Sequence, residues 1–165
     1  MSILIEGITV AVQKKTIDRH IYGGVAAFRD SVPNATFRTD GLLAAASFMD
    51  PSATKKFVAT LEEVGMVFVA NDVAHDISVI DQNHGPTVQC DWIDFSKNIE
   101  GISFAWLKNT AAGEIVFYEN WSPGLGLVLN EGEFGENIKF LRRENDLDVY
   151  VDIETGQELY TARRD

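Results

Sequence analysis

The sequence predicts an α+β fold in which a helix-containing first half packs against a second half built of strands. Apolar residues recur at helical spacing in two stretches before residue 65, and this spacing places them on one face of a helix. After residue 82, short apolar runs alternate with turn-forming residues, a pattern typical of antiparallel strands. The composition, 45% hydrophobic and 24% charged over 165 residues, is that of a globular protein.

The first predicted element is a strand over Ile3–Val12, where Ile, Leu and Val cluster with small residues. A helical stripe then runs from Ile17 to Val32, with Thr16 as its expected cap. Gly23-Gly24 lies inside this stripe, and glycine is about 1 kcal/mol less favourable than alanine within a helix. We therefore expect a kink there, or two short helices.

A hairpin is predicted next, with strands over Ala35–Thr39 and Leu42–Met49. The two residues between them are Asp40-Gly41, and Asp-Gly is a preferred pair for a type I′ turn because both central residues must tolerate positive φ. The hairpin would lead directly into the second helical stretch.

The second helix is predicted over Pro51–Val64, with Asp50 as N-cap and Gly65 just beyond its end. A strand over Ile77–Asp81 follows. Residues 1–82 thus have the order strand, helix, strand, strand, helix, strand, which is that of a ferredoxin-like split βαβ unit (βαββαβ). Element order of this kind carries no function with it.

Residues 83–165 are predicted to form an antiparallel, strand-rich half. The candidate strands are Cys90–Phe95, Ile102–Lys108, Glu114–Tyr118, Leu125–Leu129, Ile138–Leu141, Leu147–Ile153 and Glu158–Ala162. Thr155-Gly156 would join the last two as a hairpin. Because no low-complexity linker separates 1–82 from 83–165, we expect the halves to pack together, as two units or as one continuous domain.

The net charge of −11 is concentrated in the second half, which carries −8 against −3 for residues 1–82. Such a field repels phosphate backbones and attracts basic partners, so no nucleic-acid binding is expected. No apolar run is long enough for a bilayer, and the N-terminus lacks a basic, signal-like segment. A single cysteine requires no oxidising compartment. We therefore expect a cytoplasmic protein without a membrane partner.

The stretch Ile77–Phe95 gathers the residues best suited to chemistry, among them the only cysteine. Cys90 with His84 or His75 could form a nucleophilic pair, but no catalytic signature surrounds it, and a lone cysteine in a strand is usually a small buried hydrophobe. The His, Cys and Asp residues have none of the spacings typical of metal sites, and the Gly-rich stretches lack a phosphate-binding pattern. We therefore predict no catalytic residues, no metal and no cofactor.

Aromatic residues concentrate in the strand-rich half and could form a binding surface together with acidic side chains. Trp121 precedes a Ser-Pro-Gly turn and is expected to be the exposed member, whereas Phe104, Trp106 and Phe117 are expected in the core. The candidate residues for binding a ligand or partner are Asp81, His84, Cys90, Asp91, Trp92 and Trp121.

These observations favour a non-catalytic, acidic interaction protein, such as an immunity- or inhibitor-type protein that occludes a basic enzyme. The alternative is a small enzyme or small-ligand sensor whose pocket lies between the halves around His84 and Cys90, lined also by Asp81, Asp91 and Trp92. Convergence of the His84 and Cys90 side chains would favour the alternative. Homo-oligomerisation through a sheet edge stays open.

Overall fold

The computed structural model describes residues 1–121, 138–144, 147–152 and 158–162. In these ranges the chain is a mixed α+β fold, as predicted. Its helices are α1 (Lys14–His20), α2 (Gly24–Ser31) and α3 (Pro51–Glu63). Its strands are β1 (Ser2–Ile5), β2 (Ile8–Gln13), β3 (Arg38–Thr39), β4 (Leu43–Phe48), β5 (Val69–Ala70), β6 (Val73–Ala74), β7 (Ile77–Asp81), β8 (Gly85–Pro86), β9 (Ile93–Lys97), β10 (Ser103–Leu107), β11 (Ile115–Val116), β12 (Ile138–Glu144), β13 (Leu147–Asp152) and β14 (Glu158–Ala162).

The central sheet has the order β3-β4-β2-β7-β8, and every neighbouring pair in it is antiparallel. Both of its faces are buried. Along β2, Val10 and Val12 belong to the core beneath the helices, whereas Ala11 belongs to a second core on the opposite face. The small residues Ala44, Ala45 and Ala46 of β4, poor strand formers on their own, are completely buried because tertiary packing covers both sides of this strand.

The helices cover one face of the central sheet. Phe57 of α3 packs against Phe28 of α2 at 5.7 Å between ring centroids and against Phe48 of β4 at 5.3 Å. The Asp50 side chain accepts a 2.8 Å hydrogen bond from the Ser52 N–H, which confirms Asp50 as the N-cap of α3. No helix in the described ranges is long and apolar enough to cross a membrane.

The helical stripe between β2 and β3 is divided into α1 and α2, which confirms the predicted break at the two glycines. Gly23 has φ +96° and Gly24 φ +64°, a region that glycine enters without the clash other residues suffer. The predicted cap was wrong: the N-cap of α1 is Gln13, without a side-chain cap, and Thr16 lies buried inside the helix.

The predicted hairpin is confirmed, with Thr39 of β3 facing Ala44 of β4. Its expected type I′ turn was wrong, because Gly41 has a positive φ and Asp40 does not. The Asp40 carboxylate instead accepts 2.8 Å hydrogen bonds from the N–H groups of Leu42 and Leu43. A side-chain acceptor of this kind closes a turn locally.

The single strand predicted over Ile3–Val12 was wrong, because the chain breaks at Glu6-Gly7 and its two parts enter different sheets. β1 belongs to a second sheet of order β11-β1-β10-β9, whereas β2 belongs to the central sheet. It pairs antiparallel with β10 and parallel with β11. Gly7, at φ +59°, makes the break. The two sheets enclose the second core, whose members include Ile3, Ile80 and Ala105.

The strands predicted in the second half are confirmed wherever the structure describes them, with shifted ends. β9 begins at Ile93, three residues after the predicted start at Cys90. β12, β13 and β14 form an antiparallel sheet in that order, which confirms the terminal hairpin. The strand predicted over Leu125–Leu129 lies outside the described residues, and the boundary between residues 82 and 83 stays a prediction.

Substituting Gly7→Ala is expected to destabilise the fold more than Gly41→Ala. Both glycines have positive φ, which costs a residue with a Cβ about 1–2 kcal/mol. At Gly7 the added Cβ would also lie 2.7 Å from the Phe48 carbonyl oxygen, whereas at Gly41 nothing lies within 4 Å. Urea unfolding of the two variants measures the difference. Equal losses would show that the chain relaxes freely at the break between β1 and β2.

Candidate functional site

The outer face of the second sheet carries a cluster of aromatic and acidic side chains. Along β10, Ser103 and Ala105 are buried, and Ala105 lies in the second core. Because side chains alternate along a strand, Phe104 and Trp106 point away from that core. Their rings stack at 5.5 Å between centroids with an interplanar angle of 26°. Both were predicted as core residues, which was wrong: each is only partly buried.

The neighbouring strand β9 completes this surface. Asp94 lies directly across from Trp106, and Ser96 lies across from Phe104. Directly opposed side chains of an antiparallel pair are about 5 Å apart at Cβ, so the carboxylate adjoins the stacked rings. We call Asp94, Ser96, Phe104 and Trp106 the aromatic–acid patch.

The charge of the described residues is distributed unevenly around this surface. Residues 14–63, which contain all three helices, carry seven Lys/Arg and six Asp/Glu, a net charge of +1. Residues 64–121, which supply β9, β10 and β11, carry two Lys/Arg and eight Asp/Glu, a net charge of −6. The excess negative charge thus belongs to the part of the chain that contains the patch.

Two of the predicted binding residues, Asp91 and Trp92, lie in the turn that precedes β9. The exposed Asp91 carboxylate accepts a 3.0 Å hydrogen bond from the Gln89 side chain. The Trp92 indole packs against the second core and donates a 2.9 Å hydrogen bond to the His75 carbonyl oxygen. Trp92 therefore anchors this turn, and Asp91 adds an exposed charge beside it.

Asp81 and His84 form a turn between β7 and β8. Asp81 Oδ1 accepts hydrogen bonds from the N–H groups of Asn83 (2.8 Å) and His84 (3.2 Å), and it lies 3.1 Å from His84 Nδ1. The His84 side chain remains 66% exposed. This pairing gives His84 a structural role at the turn. The turn propensities of the neighbouring glycine and proline did not predict that role.

Cys90 lies in an irregular segment and packs, half-buried, against the second core. Burial raises the pKa of the Cys90 thiol above its ordinary value. Among the described residues no hydrogen bond joins Cys90 to His84, whose ring meets Asp81 instead. A nucleophilic cysteine needs the opposite shift in pKa and a nearby base.

Cys90 is expected to react slowly with a thiolate-directed reagent in the native protein. Because its pKa is raised, the native thiol holds its proton at pH values where an unfolded thiol has begun to ionise. Native stability should accordingly fall as pH rises above the ordinary thiol pKa, since the unfolded state then binds fewer protons. Labelling at pH about 8, native against urea-unfolded, measures this. Equal rates would contradict the burial of Cys90.

Trp121 contributes to a buried polar cluster that sequence reasoning missed. Its expected exposure was wrong: the side chain is partly buried, and its indole N–H donates a 2.6 Å hydrogen bond to Glu6 Oε2. The Tyr118 hydroxyl donates to Glu6 Oε1 at 2.8 Å. Phe117, predicted in the core, is instead 37% exposed and stacks on Trp121 at 4.2 Å.

Arg38 supplies the positive charge of this cluster and is only 3% exposed. Its guanidinium donates to the carbonyl oxygens of Leu4 and Thr36 and lies 5.7 Å from the Tyr118 ring centroid. Burial lowers the pKa of Arg38 to about 10, against the opposing attraction of Glu6. The pKa of Tyr118 is raised, first by burial and then by the Glu6 charge.

The sequence holds one signal for this cluster, a charged residue inside an apolar run. Glu6 interrupts the stretch from Ile3 to Val12, and a charge enclosed by buried strands must find partners. Nothing local identifies those partners, because Arg38 and Tyr118 are 32 and 112 residues away along the chain. The cluster holds β1, β3 and the segment after β11 together.

No group of three or more His, Cys, Asp or Glu side chains in the described part of the chain is arranged to hold a metal ion. Comparisons of the chain with protein-family models, with curated proteins and with solved structures found no match.

Proposed function

We propose that this chain is a non-catalytic, acidic interaction protein that binds a basic protein partner through the aromatic–acid patch. An immunity- or inhibitor-type protein that occludes a basic enzyme is the instance we favour, acting in the cytoplasm. The observation that carries the proposal is the stacked pair of Phe104 and Trp106, partly exposed on a sheet face with Asp94 opposite Trp106.

The chemistry of the patch suits a lysine or arginine side chain from a partner. An aromatic face attracts a cation within about 6 Å of its centroid, and Trp does so most strongly. A carboxylate beside the ring adds a charge-assisted hydrogen bond to the same cation. Arginine gains most from this arrangement, because its planar guanidinium stacks on the ring while its N–H groups reach Asp94.

The surrounding charge would act at longer range. The −6 carried by residues 64–121 would accelerate encounter with a basic surface and disfavour acidic competitors. Charge complementarity raises the association rate and the selectivity more than it raises the affinity. The aromatic pair would therefore supply the desolvated centre of the interface. The affinity would therefore fall as the salt concentration rises, but less steeply than the affinity of a purely ionic contact.

The alternative, a small enzyme or ligand sensor around His84 and Cys90, has less support. It requires the two side chains to converge in a pocket. His84 is 66% exposed and meets Asp81, whereas Cys90 packs against the second core and holds its proton. We therefore place the binding surface on the second sheet.

We also propose that residues 8–81 form a ferredoxin-like unit. The support is the order in which the chain forms β2, α1, α2, β3, β4, α3 and β7, with β5 and β6 as a separate two-stranded sheet between α3 and β7. The strands of the central sheet have the antiparallel order β3-β4-β2-β7. If β2 is the first strand of a split βαβ unit, then β3, β4 and β7 are its second, third and fourth strands. The first strand then lies between the third and the fourth. β1, which joins the other sheet, would be an addition before this unit.

The proposed binding of a basic protein is tested by co-purification with the tagged chain at about 50 mM and at about 500 mM salt. The higher salt concentration shortens the range of interactions between charges. We expect a basic protein that is retained at low salt and depleted at high salt. Its binding should be lost with Asp94→Lys, which reverses the charge beside Trp106.

The matched control is Asp30→Lys, an exposed charge reversal on α2, far from the second sheet in the fold. This change alters the net charge equally, so it should preserve the partner. If both variants lose the partner alike, binding depends on net charge only, and the patch is not its site. If no salt-sensitive basic protein is retained, the proposed function is wrong.

A further inference from the structure

A groove on the other side of the molecule lies between α3 and the edge of the central sheet formed by β7 and β8. Its volume is about 420 Å³, within the range of pockets that hold small organic ligands. The helix contributes one stripe of side chains, Pro51, Lys55, Val58 and Glu62. Their spacings of four, three and four residues place them on a single face of α3.

The floor and walls of the groove are apolar. Val58 and Val79, which belong to the core beneath the helices, face it from the helix and from the sheet. Ile8 and Phe68, partly buried beside the same core, complete these walls. A hydrocarbon or aryl group placed here would be removed from water, which contributes about 25 cal/mol for each Å² of apolar surface buried.

The charged groups at the groove are two acids and one base. Asp81 lines it from the end of β7, and Glu62 and Lys55 line it from α3. All hydrogen bonds of Asp81 to its own turn use Oδ1, which leaves Oδ2 available to a ligand. Among the described residues neither Glu62 nor Lys55 is in an ion pair. The groove therefore has a net charge of −1 above an apolar floor.

We propose that this groove binds a small organic cation, an amine with a hydrocarbon or aryl body. The body would pack against Val58 and Val79, and the ammonium group would donate a hydrogen bond to Asp81 Oδ2. The excess of acid over base at the groove favours this charge over a carboxylate of the same shape. The net charge of the whole chain, −11, acts in the same direction.

This site is separate from the aromatic–acid patch. The groove lies on the helix-covered face of the central sheet, whereas the patch lies on the outer face of the second sheet. Occupation of one does not require the other, and each can be removed by changes that leave the other intact. Ligand binding in the groove is therefore independent of the proposed protein partner.

The test uses three probes that differ only in their polar end: 4-phenylbutylamine, 4-phenylbutanoate and 4-phenylbutan-1-ol. Titrations followed by two-dimensional NMR of the full chain should show shifts at the amides of Val58, Val79 and Thr87. The amine should bind about tenfold tighter than the alcohol, because a hydrogen bond to a charged group adds that much affinity. The carboxylate should bind more weakly than the alcohol.

Asp81→Asn is the sharpest variant, because the amide oxygen can still accept the turn hydrogen bonds while the charge is lost. It should weaken the amine about tenfold and leave the alcohol unchanged. Asp94→Asn, on the other sheet, is the matched control and should change neither. Equal binding of the three probes, a preference for the carboxylate, or the absence of shifts along the groove would each overturn the inference.

Discussion

Replacing Arg38 by methionine is expected to lower the free energy of unfolding by about 3–5 kcal/mol, because the buried carbonyl oxygens of Leu4 and Thr36 lose their donor and Glu6 loses the attraction of a nearby cation. Glu6 is 6% exposed and Arg38 is 3% exposed, so water cannot replace the lost cation. Methionine keeps much of the side-chain length, which limits the contribution of an empty cavity. Urea unfolding followed by tryptophan fluorescence measures the loss.

Two further variants separate the buried charge from packing. Arg29→Met changes an exposed arginine, and surface changes of this kind usually stay within about 0.5 kcal/mol. Glu6→Gln combined with Arg38→Met removes both charges; the amide oxygen can accept from the Trp121 N–H, and the amide N–H can donate to the Tyr118 hydroxyl oxygen. The double variant should be more stable than the sum of the single losses predicts. Strict additivity would show that the two charges do not depend on each other.

Replacing Trp106 by alanine is expected to weaken binding of the basic partner by about 2–4 kcal/mol, or about 30- to 1,000-fold in Kd. The indole presents a broad face beside Asp94, and its removal also deprives Phe104 of its stacking partner. Trp106 is only partly buried, so the fold should tolerate the change better than a core truncation. Calorimetric titration of partner with variant measures the effect.

The matched control for Trp106 is Tyr22→Ala, at the junction of α1 and α2. Tyr22 is fully exposed, so its loss removes a similar aromatic ring far from the second sheet. We expect an unchanged Kd for this variant and an unchanged unfolding midpoint. A comparable loss of affinity for the two variants would place the partner elsewhere.

Elements governed by neighbouring residues could be predicted from the sequence. α3 follows from Asp50 as cap, Pro51 at its first position and a regular apolar stripe, all within about four turns of helix. The hairpin at Asp40-Gly41 follows from turn chemistry in the same way. In both, the determining contacts lie close together along the chain.

Features that depend on distant contacts could not be predicted. The sequence predicts that Glu6-Gly7 lies inside one apolar strand, and only the pairing of β1 with β10 shows why the chain breaks there. The sequence predicts that Trp121 is an exposed loop residue. Its contact with Glu6 could not be predicted, because the two residues are 115 positions apart along the chain. The composition predicted a surface of aromatic and acidic side chains, and this stays a prediction. Phe104 and Trp106 were assigned to the core, because alternation alone cannot say which face of β10 is covered.

Hydrogen exchange of the backbone amides, measured with and without the basic partner, would locate the surface that the partner covers. Binding at the aromatic–acid patch should slow exchange in residues 93–107, which span β9 and β10, and leave α3 unchanged. Protection confined to α3 and β7, or no protection in residues 93–107, would contradict binding at the aromatic–acid patch.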